Sequence, residues 1–261
     1  MNILDKIVEH KKKEVADRKA ATPVATLEKS NYFSRRPYSL KQFLLDESKT
    51  GIIAEFKRKS PSKGIINGQA NVTDITSAYT KYGASGLSVL TDEHFFAGSA
   101  EDFAKARVNN IPLLRKDFMI DEYQVTEAKA MGADVILLIA ACLTVAEVKR
   151  LAAFANSLQL EVLLELHAEE ELEYICDEID LVGINNRNLK TFEVDIERSL
   201  DMASRIPAGK IKIAESGISS IENIRLFKQH GFHGFLIGEN FMKTPDPGEA
   251  FRKFASQLVT V

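Results

Sequence analysis

Three consecutive stretches, ADVILLIA (133–140), LTVAEVKRLAAFANSL (143–158) and LEVLLELH (160–167), decide the fold. The first and third are continuous apolar runs without polar alternation, the pattern of parallel strands covered on both faces. The middle stretch repeats its apolar residues at helical spacing. Strand, helix and strand in this order make a βαβ unit, and the same rhythm extends in both directions. Strand-like runs are GIIAEFK (51–57), GLSVLT (86–91), IPLLRK (111–116), DVILLIA (134–140), EVLLEL (161–166), DLVGIN (180–185), KIKIAE (210–215) and GFLIG (234–238). Between and after them lie TDITSAYTKYG (73–83), which starts on a Thr or Asp cap and ends on Gly, and SAEDFAKARVN (99–109), with an S-x-x-D start. DEYQVTEAKAMG, AEEELEYICDE, DIERSLDMASRI, SSIENIRLFKQHG and DPGEAFRKFASQL continue the helical series. Eight βα units in 261 residues predict a closed (β/α)8 barrel, a single domain over residues 1–261 with the eight units in 51–261. The runner-up is an open doubly wound sheet, which lacks a glycine fingerprint after any strand. Residues 1–50 stand outside the repeat. Ile3, Leu4, Ile7, Val8 and Val15 form a stripe at helical spacing, so this segment reads as a helical extension packed on one end of the barrel. The run Lys11–Lys13 reads as its solvated face.

Composition narrows the function. Lys plus Arg total 34 against 37 Asp plus Glu, a net charge of −3. That balance excludes nucleic-acid backbone binding as the main activity. Two cysteines, Cys142 and Cys176, are too few for a disulfide framework or a thiolate zinc site and read as buried, inert thiols. No two histidines have ligand-like spacing, so no metal is expected. The charged N-terminal stretch has no apolar signal region, and the longest apolar run, Val135 to Leu143, is about half of the ~20 residues that a membrane helix needs. A soluble cytoplasmic protein without a membrane partner is expected.

In a barrel, chemistry sits at the C-terminal ends of the strands. Strand one ends in Glu55-Phe56-Lys57, whose spacing of two puts both charges on one face. Strand three ends in Arg115-Lys116-Asp117, strand five in Glu165-Leu166-His167, and strand six in Asn185-Asn186-Arg187-Asn188. Strand seven ends in Glu215-Ser216-Gly217 and strand eight in Gly238-Glu239-Asn240. These polar ends converge on one mouth, whereas the opposite ends show no such clustering. Small residues at Ser216-Gly217 and Gly238 let backbone approach a ligand, and a helix starting near Glu239 would aim N–H groups at a phosphate, with the Glu239 side chain turned away. The SPSKG loop (60–64) adds Ser60 and Lys63 as donor and charge. His167 shares the parity of Glu165 and reads either as a hydrogen-bonded buried ring or as a catalytic group.

Six ordered motifs, EFKRKSPSKG (55–64), LLRKDF (113–118), LLELH (163–167), GINNRNL (183–189), AESGI (214–218) and LIGENFM (236–242), resemble the indole-3-glycerol phosphate synthase family. The resemblance runs from about Ile3 to Phe254. It implies a carboxy-lyase of tryptophan biosynthesis that converts 1-(2-carboxyphenylamino)-1-deoxyribulose 5-phosphate to indole-3-glycerol phosphate, CO₂ and water, without a cofactor. By that resemblance Lys116 is the acid at the ketone oxygen, and Glu165 is the general base with Glu55 as second carboxylate. Lys57 pairs with the substrate carboxylate or acts as a second acid, and Asn185 and Glu215 hold hydroxyls and orient the lysines. Arg187 helps to place the carboxylate end. Phosphate contacts fall on Ser60, Gly217, Gly238 and Glu239, with Ser216 and Lys57 adjacent, and Phe96 flanks the aromatic ring. Neighbouring cations in a basic mouth are expected to lower the Lys116 pKa. The competing expectations are a phosphoribosylanthranilate isomerase-like barrel, which needs a Cys and Asp pair at strand ends, and a non-catalytic phosphosugar-binding barrel. The expected partner is a small phosphorylated molecule, and the expected state is a monomer or weak homo-oligomer.

Overall fold

The computed structural model describes residues 3–187 and 193–258. Asn188 and Leu189 of the strand-six motif lie outside the described residues. Eight parallel strands close into a barrel: β1 (Ile52–Phe56), β2 (Gly86–Leu90), β3 (Leu113–Lys116), β4 (Val135–Ile139), β5 (Glu161–Leu166), β6 (Leu181–Asn185), β7 (Ile211–Glu215) and β8 (Phe232–Ile237). Each pairs with its sequence neighbours, and β1 meets β8 through Ile52 opposite Phe235 and Ala54 opposite Ile237. The strand expectations therefore hold. One helix does not: the segment after β5 is a 3₁₀ helix, Glu169–Tyr174, which ends where Ile175 turns to extended backbone. The helix after β1 is capped by Asn71, whose side chain accepts from the N–H groups of Thr73 and Asp74, rather than by Thr73 or Asp74.

Alternation along the strands sorts two cores. Outward residues such as Ala54, Leu87, Val162 and Phe235 pack beneath the helices, while Ile53, Leu114, Leu137, Leu163, Leu181, Ile213 and Leu236 fill the barrel interior. Two steps further along four strands, the same inward series ends in Glu55, Lys116, Glu165 and Glu215. Across β6 the register sets Glu165 opposite Gly183 and Glu215 opposite Asn185, one inward position further along.

The N-terminal extension reaches both ends of the barrel rather than one. Helix α1 (Ile3–Ala21) lies against the mouth, and the helix Leu40–Leu45 plugs the opposite end with Leu40 and Leu44 in the interior cluster. The opposite end also carries a cluster that the sequence reading missed. Asp134 accepts from Arg35, Arg107 and the backbone N–H groups of Tyr38 and Leu113; Glu161 accepts from Ser39 and the Lys41 N–H; Asp180 pairs with Lys41. These acids start β4, β5 and β6 and anchor the segment 35–41.

Lys11 is not a solvated residue. It is 0% exposed, and its Nζ lies 2.9 Å from each of Glu14, Asp92 and Asp117. A helical period puts Lys11 on the buried stripe with Ile7 and Val15, so the triplet splits and only Lys12 and Lys13 face water. Arg115 extends the network to Asp117, Glu127 and Thr91. Burial pushes Asp117 up, but Arg115 and Lys11 overcome this and hold it down at about 2. A carboxylate depressed in this way adds stability that is complete above its unfolded value of about 4 and is lost as the pH falls through about 2. Replacing the cation, as in Lys11→Met, leaves Asp92 and Asp117 buried with one positive partner fewer. We expect a loss of about 3–5 kcal/mol, read as a drop in Tm on the order of 10 °C by circular dichroism at pH 7, whereas an unchanged Tm would place Lys11 back on a solvated face.

Candidate active site

A cavity of about 210 Å³ opens at the C-terminal ends of the strands. Its walls include Lys116, Glu165, Lys57, Glu55, Asn185 and Glu215, together with Ser60, Phe96, Arg187, Ser216, Gly217, Gly238 and Glu239, whereas Lys63, Arg115 and Asn186 stand outside its lining. Apolar walls that sequence reasoning did not assign come from Ile3, Leu4 and Ile7 of α1 and from Leu137 and Ile139 of β4. The available signal was the apolar stripe at the start of the chain, which continues past what packing against the barrel alone requires.

Lys116 stands at the centre. Its Nζ donates to Glu165 Oε2 at 2.9 Å and to Glu215 Oε2 at 2.8 Å. Asn185 Nδ2 donates to the other Glu165 oxygen at 3.0 Å, and Lys57 pairs with Glu55 Oε1 at 2.6 Å. Ser88, on β2, donates to the second Glu55 oxygen at 3.4 Å. The basic mouth expected around Lys116 is instead an acidic one. Burial pulls the Lys116 pKa down, but Glu165, Glu215 and Glu55 outweigh it, and the ammonium is held above its ordinary range. The expected lowering is thus reversed, because the facing side chains are carboxylates and Lys57 is already neutralised by Glu55.

The two carboxylates on Lys116 are driven apart. Burial raises both, but Lys116 together with His167 and Asn185 brings Glu165 well below the usual carboxylate range. Burial and the charge of Glu165 push Glu215 up to about 7 despite Lys116. Two titratable groups with opposed shifts are the arrangement from which acid and base roles arise. Glu215 Oε1 is buried without a hydrogen-bond partner among the described residues.

Glycines make room for the acids. A Cβ on Gly183 would lie 2.2 Å from Glu215 Oε1, and one on Gly238 would lie 2.7 Å from Glu55 Oε1 and 2.9 Å from Glu55 Cβ. Gly238 therefore serves the Glu55 side chain as well as any phosphate. Ser216 and Gly217 both have positive φ, 67° and 71°, a consecutive left-handed pair that turns successive N–H groups toward one concavity. Asn186 supports it by donating to the Ser216 carbonyl at 2.8 Å. The Glu239 side chain is not turned away: it reaches Arg187 at 3.5 Å and Lys63 at 3.7 Å across the cavity rim. Phe96 ends the short helix Glu93–Phe96, its ring 6.0 Å from that of Phe118. Cys142 and Cys176 are free and half-buried. Neither ends a barrel strand, as the isomerase-like alternative would need.

Fold and site together define a (β/α)8 barrel whose mouth holds a lysine between two carboxylates beside a left-handed Ser-Gly turn. The family model for indole-3-glycerol phosphate synthase matches residues 4–254, and the chain belongs to that family. A relative from Bacteroides thetaiotaomicron named indole-3-glycerol phosphate synthase is 48% identical over 98% of this chain and 99% of that protein. One of the same name from a Polaromonas species is 43% identical over 95% of this chain and 96% of that protein. A mutant tryptophan synthase α-subunit from Pyrococcus furiosus shares the fold, with a TM-score of 0.61 at 15% identity, covering 82% of this chain and 99% of that one. Among the described residues no helix is long and apolar enough to cross a membrane.

The raised Glu215 carries a pH signature. A carboxyl raised in the folded state stabilises below its unfolded value, 4.5, and that contribution is lost as the pH rises through about 7. In difference infrared spectra the wild type is expected to show a carboxyl stretch that disappears with a midpoint near 7, absent in Glu215→Gln. A spectrum flat from pH 5 to about 9 in the wild type would refute the assignment.

Proposed function

We propose that this protein is an indole-3-glycerol phosphate synthase, a carboxy-lyase that closes the indole ring of 1-(2-carboxyphenylamino)-1-deoxyribulose 5-phosphate with loss of CO₂ and water. The observation that carries the reading is the Lys116 ammonium bound between Glu165 and Glu215 in a cavity that the Ser216–Gly217 turn, directly after Glu215, also lines.

In the first step the aromatic carbon bearing the carboxylate attacks the ketone carbon. A carbon–carbon bond forms, the carbonyl π pair moves to oxygen, and Lys116 delivers its proton there. A raised lysine pKa does not prevent this transfer, because the developing alkoxide is a far stronger base than an amine. The fixed ammonium also stabilises the oxygen as its charge grows. The C–CO₂⁻ bond then breaks, its electron pair returns to the ring, and CO₂ leaves. In the last step the hydroxyl departs as water, taking a proton from Lys57 or a protonated carboxyl. A carboxylate, Glu165 or Glu55, removes the adjacent carbon-bound proton, and the pair left behind completes the indole. Glu215, near its midpoint at neutral pH, returns a proton to Lys116 between turnovers.

Binding follows the same division. Ser60, Ser216, Gly217 and the backbone N–H groups at Gly238 and Glu239 take the phosphate, with Lys57 adjacent. Arg187 and Lys57 place the substrate carboxylate, and Phe96 with Phe118 and the apolar face of α1 holds the aromatic ring. Asn185 and Glu215 bind the hydroxyls. The protein acts in the cytoplasm as a monomer or weak homo-oligomer.

Steady-state turnover of the carboxyphenylamino substrate, followed by indole fluorescence, tests the reading. Lys116→Met should lower kcat by about 10²- to 10⁴-fold while a phosphate-bearing competitor still binds within a few-fold of its wild-type Kd. Activity above about a tenth of wild type would remove Lys116 from the acid role.

A further inference from the structure

The cavity holds one titratable ring to which the steps above give no task. His167 follows β5 by one residue, lines the cavity, and has a side chain 9% exposed. Its Nε2 lies 2.9 Å from Glu165 Oε1, and its Nδ1 lies 4.0 Å from Glu171 Oε2. The Nε2–Glu165 contact is the short one of the two, and a hydrogen bond and the charge of Glu165 both act on the ring through it. The backbone beneath it is fixed from the following turn, where the Glu171 carboxylate accepts from the N–H groups of His167 and Ala168.

The groups facing the ring are acidic from each direction. Glu165 lies on its own strand, Glu171 on the turn Glu169–Tyr174, and Glu215 on β7. Lys116 of β3 reaches the ring only through the far oxygen of Glu165. On the side of α1, Cys142 sits in the field of Glu165, Glu171 and Asp5, and burial pushes its thiol up to about 12, so it contributes no charge. Burial disfavours a charged imidazole here, yet the surrounding carboxylates overcome it and raise His167 above its ordinary value.

Glu165 thus has two separate grips. One oxygen belongs to Lys116, and the other is shared by Asn185 and His167. We propose that His167 is a positioning residue for the reaction: as an imidazolium it pins Glu165 Oε1 to the cavity wall, so that Oε2 stays turned to Lys116 and the carboxylate stays ionised. This rests on the acid–base role proposed for Glu165. Without the ring, Glu165 keeps one cation instead of two and takes up a proton at higher pH.

Two measurements test this together. The first compares the pH dependence of kcat in the wild type, His167→Gln and His167→Ala. The acid limb should move to higher pH by about one unit in both variants, with plateau kcat about tenfold lower in His167→Ala, partly restored in His167→Gln, and KM within about twofold of wild type. A residue that only supports the fold would lower Tm and leave the limb in place. The second follows the His167 ring by NMR in the wild type and in Glu165→Gln, without reference to turnover. Its titration midpoint should fall when Glu165 loses its charge. An acid limb unmoved in both variants, or a ring midpoint unchanged by Glu165→Gln, overturns the proposal. If the wild type forms no indole product while the midpoint still falls, the reaction assigned above fails and the His167–Glu165 coupling stands.

Discussion

The site depends on one buried cation. Lys116 is the last residue of β3, and its ammonium joins a carboxylate from β5 to one from β7 across the top of the barrel interior. Removing that charge would leave Glu165 and Glu215 facing each other in a space sealed by Leu163 and Ile213 below. Two like charges in a low-dielectric site cannot both persist, so one would take up a proton in place of the lysine's charge. The bridge is therefore an electrostatic tie between non-adjacent strands that lowers both carboxyl pKa values, while His167 and Asn185 on Glu165 and the charge of Glu165 on Glu215 set them apart.

A second buried lysine performs the corresponding task for the extension. Lys11 binds Asp92, which caps the short helix bearing Phe96, and Asp117, which follows Lys116 directly. Through these two contacts the placement of α1 is coupled to the aromatic wall and to the strand that carries the central lysine. Ile3, Leu4 and Ile7 can then serve as cavity walls, because the helix carrying them is fixed at its next turn by ion pairs without solvent access. At the other end of the barrel, Asp134, Glu161 and Asp180 hold the segment 35–41, so the extension is secured at both ends.

The fold was legible because eight continuous apolar runs and their connecting helices admit few other closures, and because parallel strands need no long-range information beyond order. The mouth was legible for a related reason: Glu55, Lys116, Glu165 and Glu215 each interrupt an inward apolar series with a charge. What the sequence did not disclose was the sign of the environment. Counting charges at strand ends includes Arg115, which points outward to Glu127 and Asp117, and Lys57, which is consumed by Glu55. Parity along a strand tells which side a residue faces, yet not which neighbour it meets across the barrel. Lys11 was misread for the same reason: a lysine triplet on a helix looks solvated until the helix is placed, and only then does one of the three fall on acids from two other elements. The Glu239 side chain was misplaced likewise, since Lys63 and Arg187 come from loops that only the closed barrel brings together.

The glycines of the mouth show how tightly the acids constrain the backbone around them. Gly183 is level with Glu165, in the interior of β6, where a side chain would normally fill the barrel. Its missing Cβ is the space that Glu215 Oε1 occupies, and the missing Cβ of Gly238 is the space beside Glu55. A strand glycine costs stability through lost packing and greater unfolded-state freedom. At Gly183 that cost is offset by room for the Glu215 carboxylate within reach of Lys116, and Gly238, just past β8, leaves the same room for Glu55 beside Lys57. The barrel thus gives up apolar packing in its uppermost layer to house a set of charges, and those charges remain paired only because Lys116 and Lys57 are held in place by the same strands.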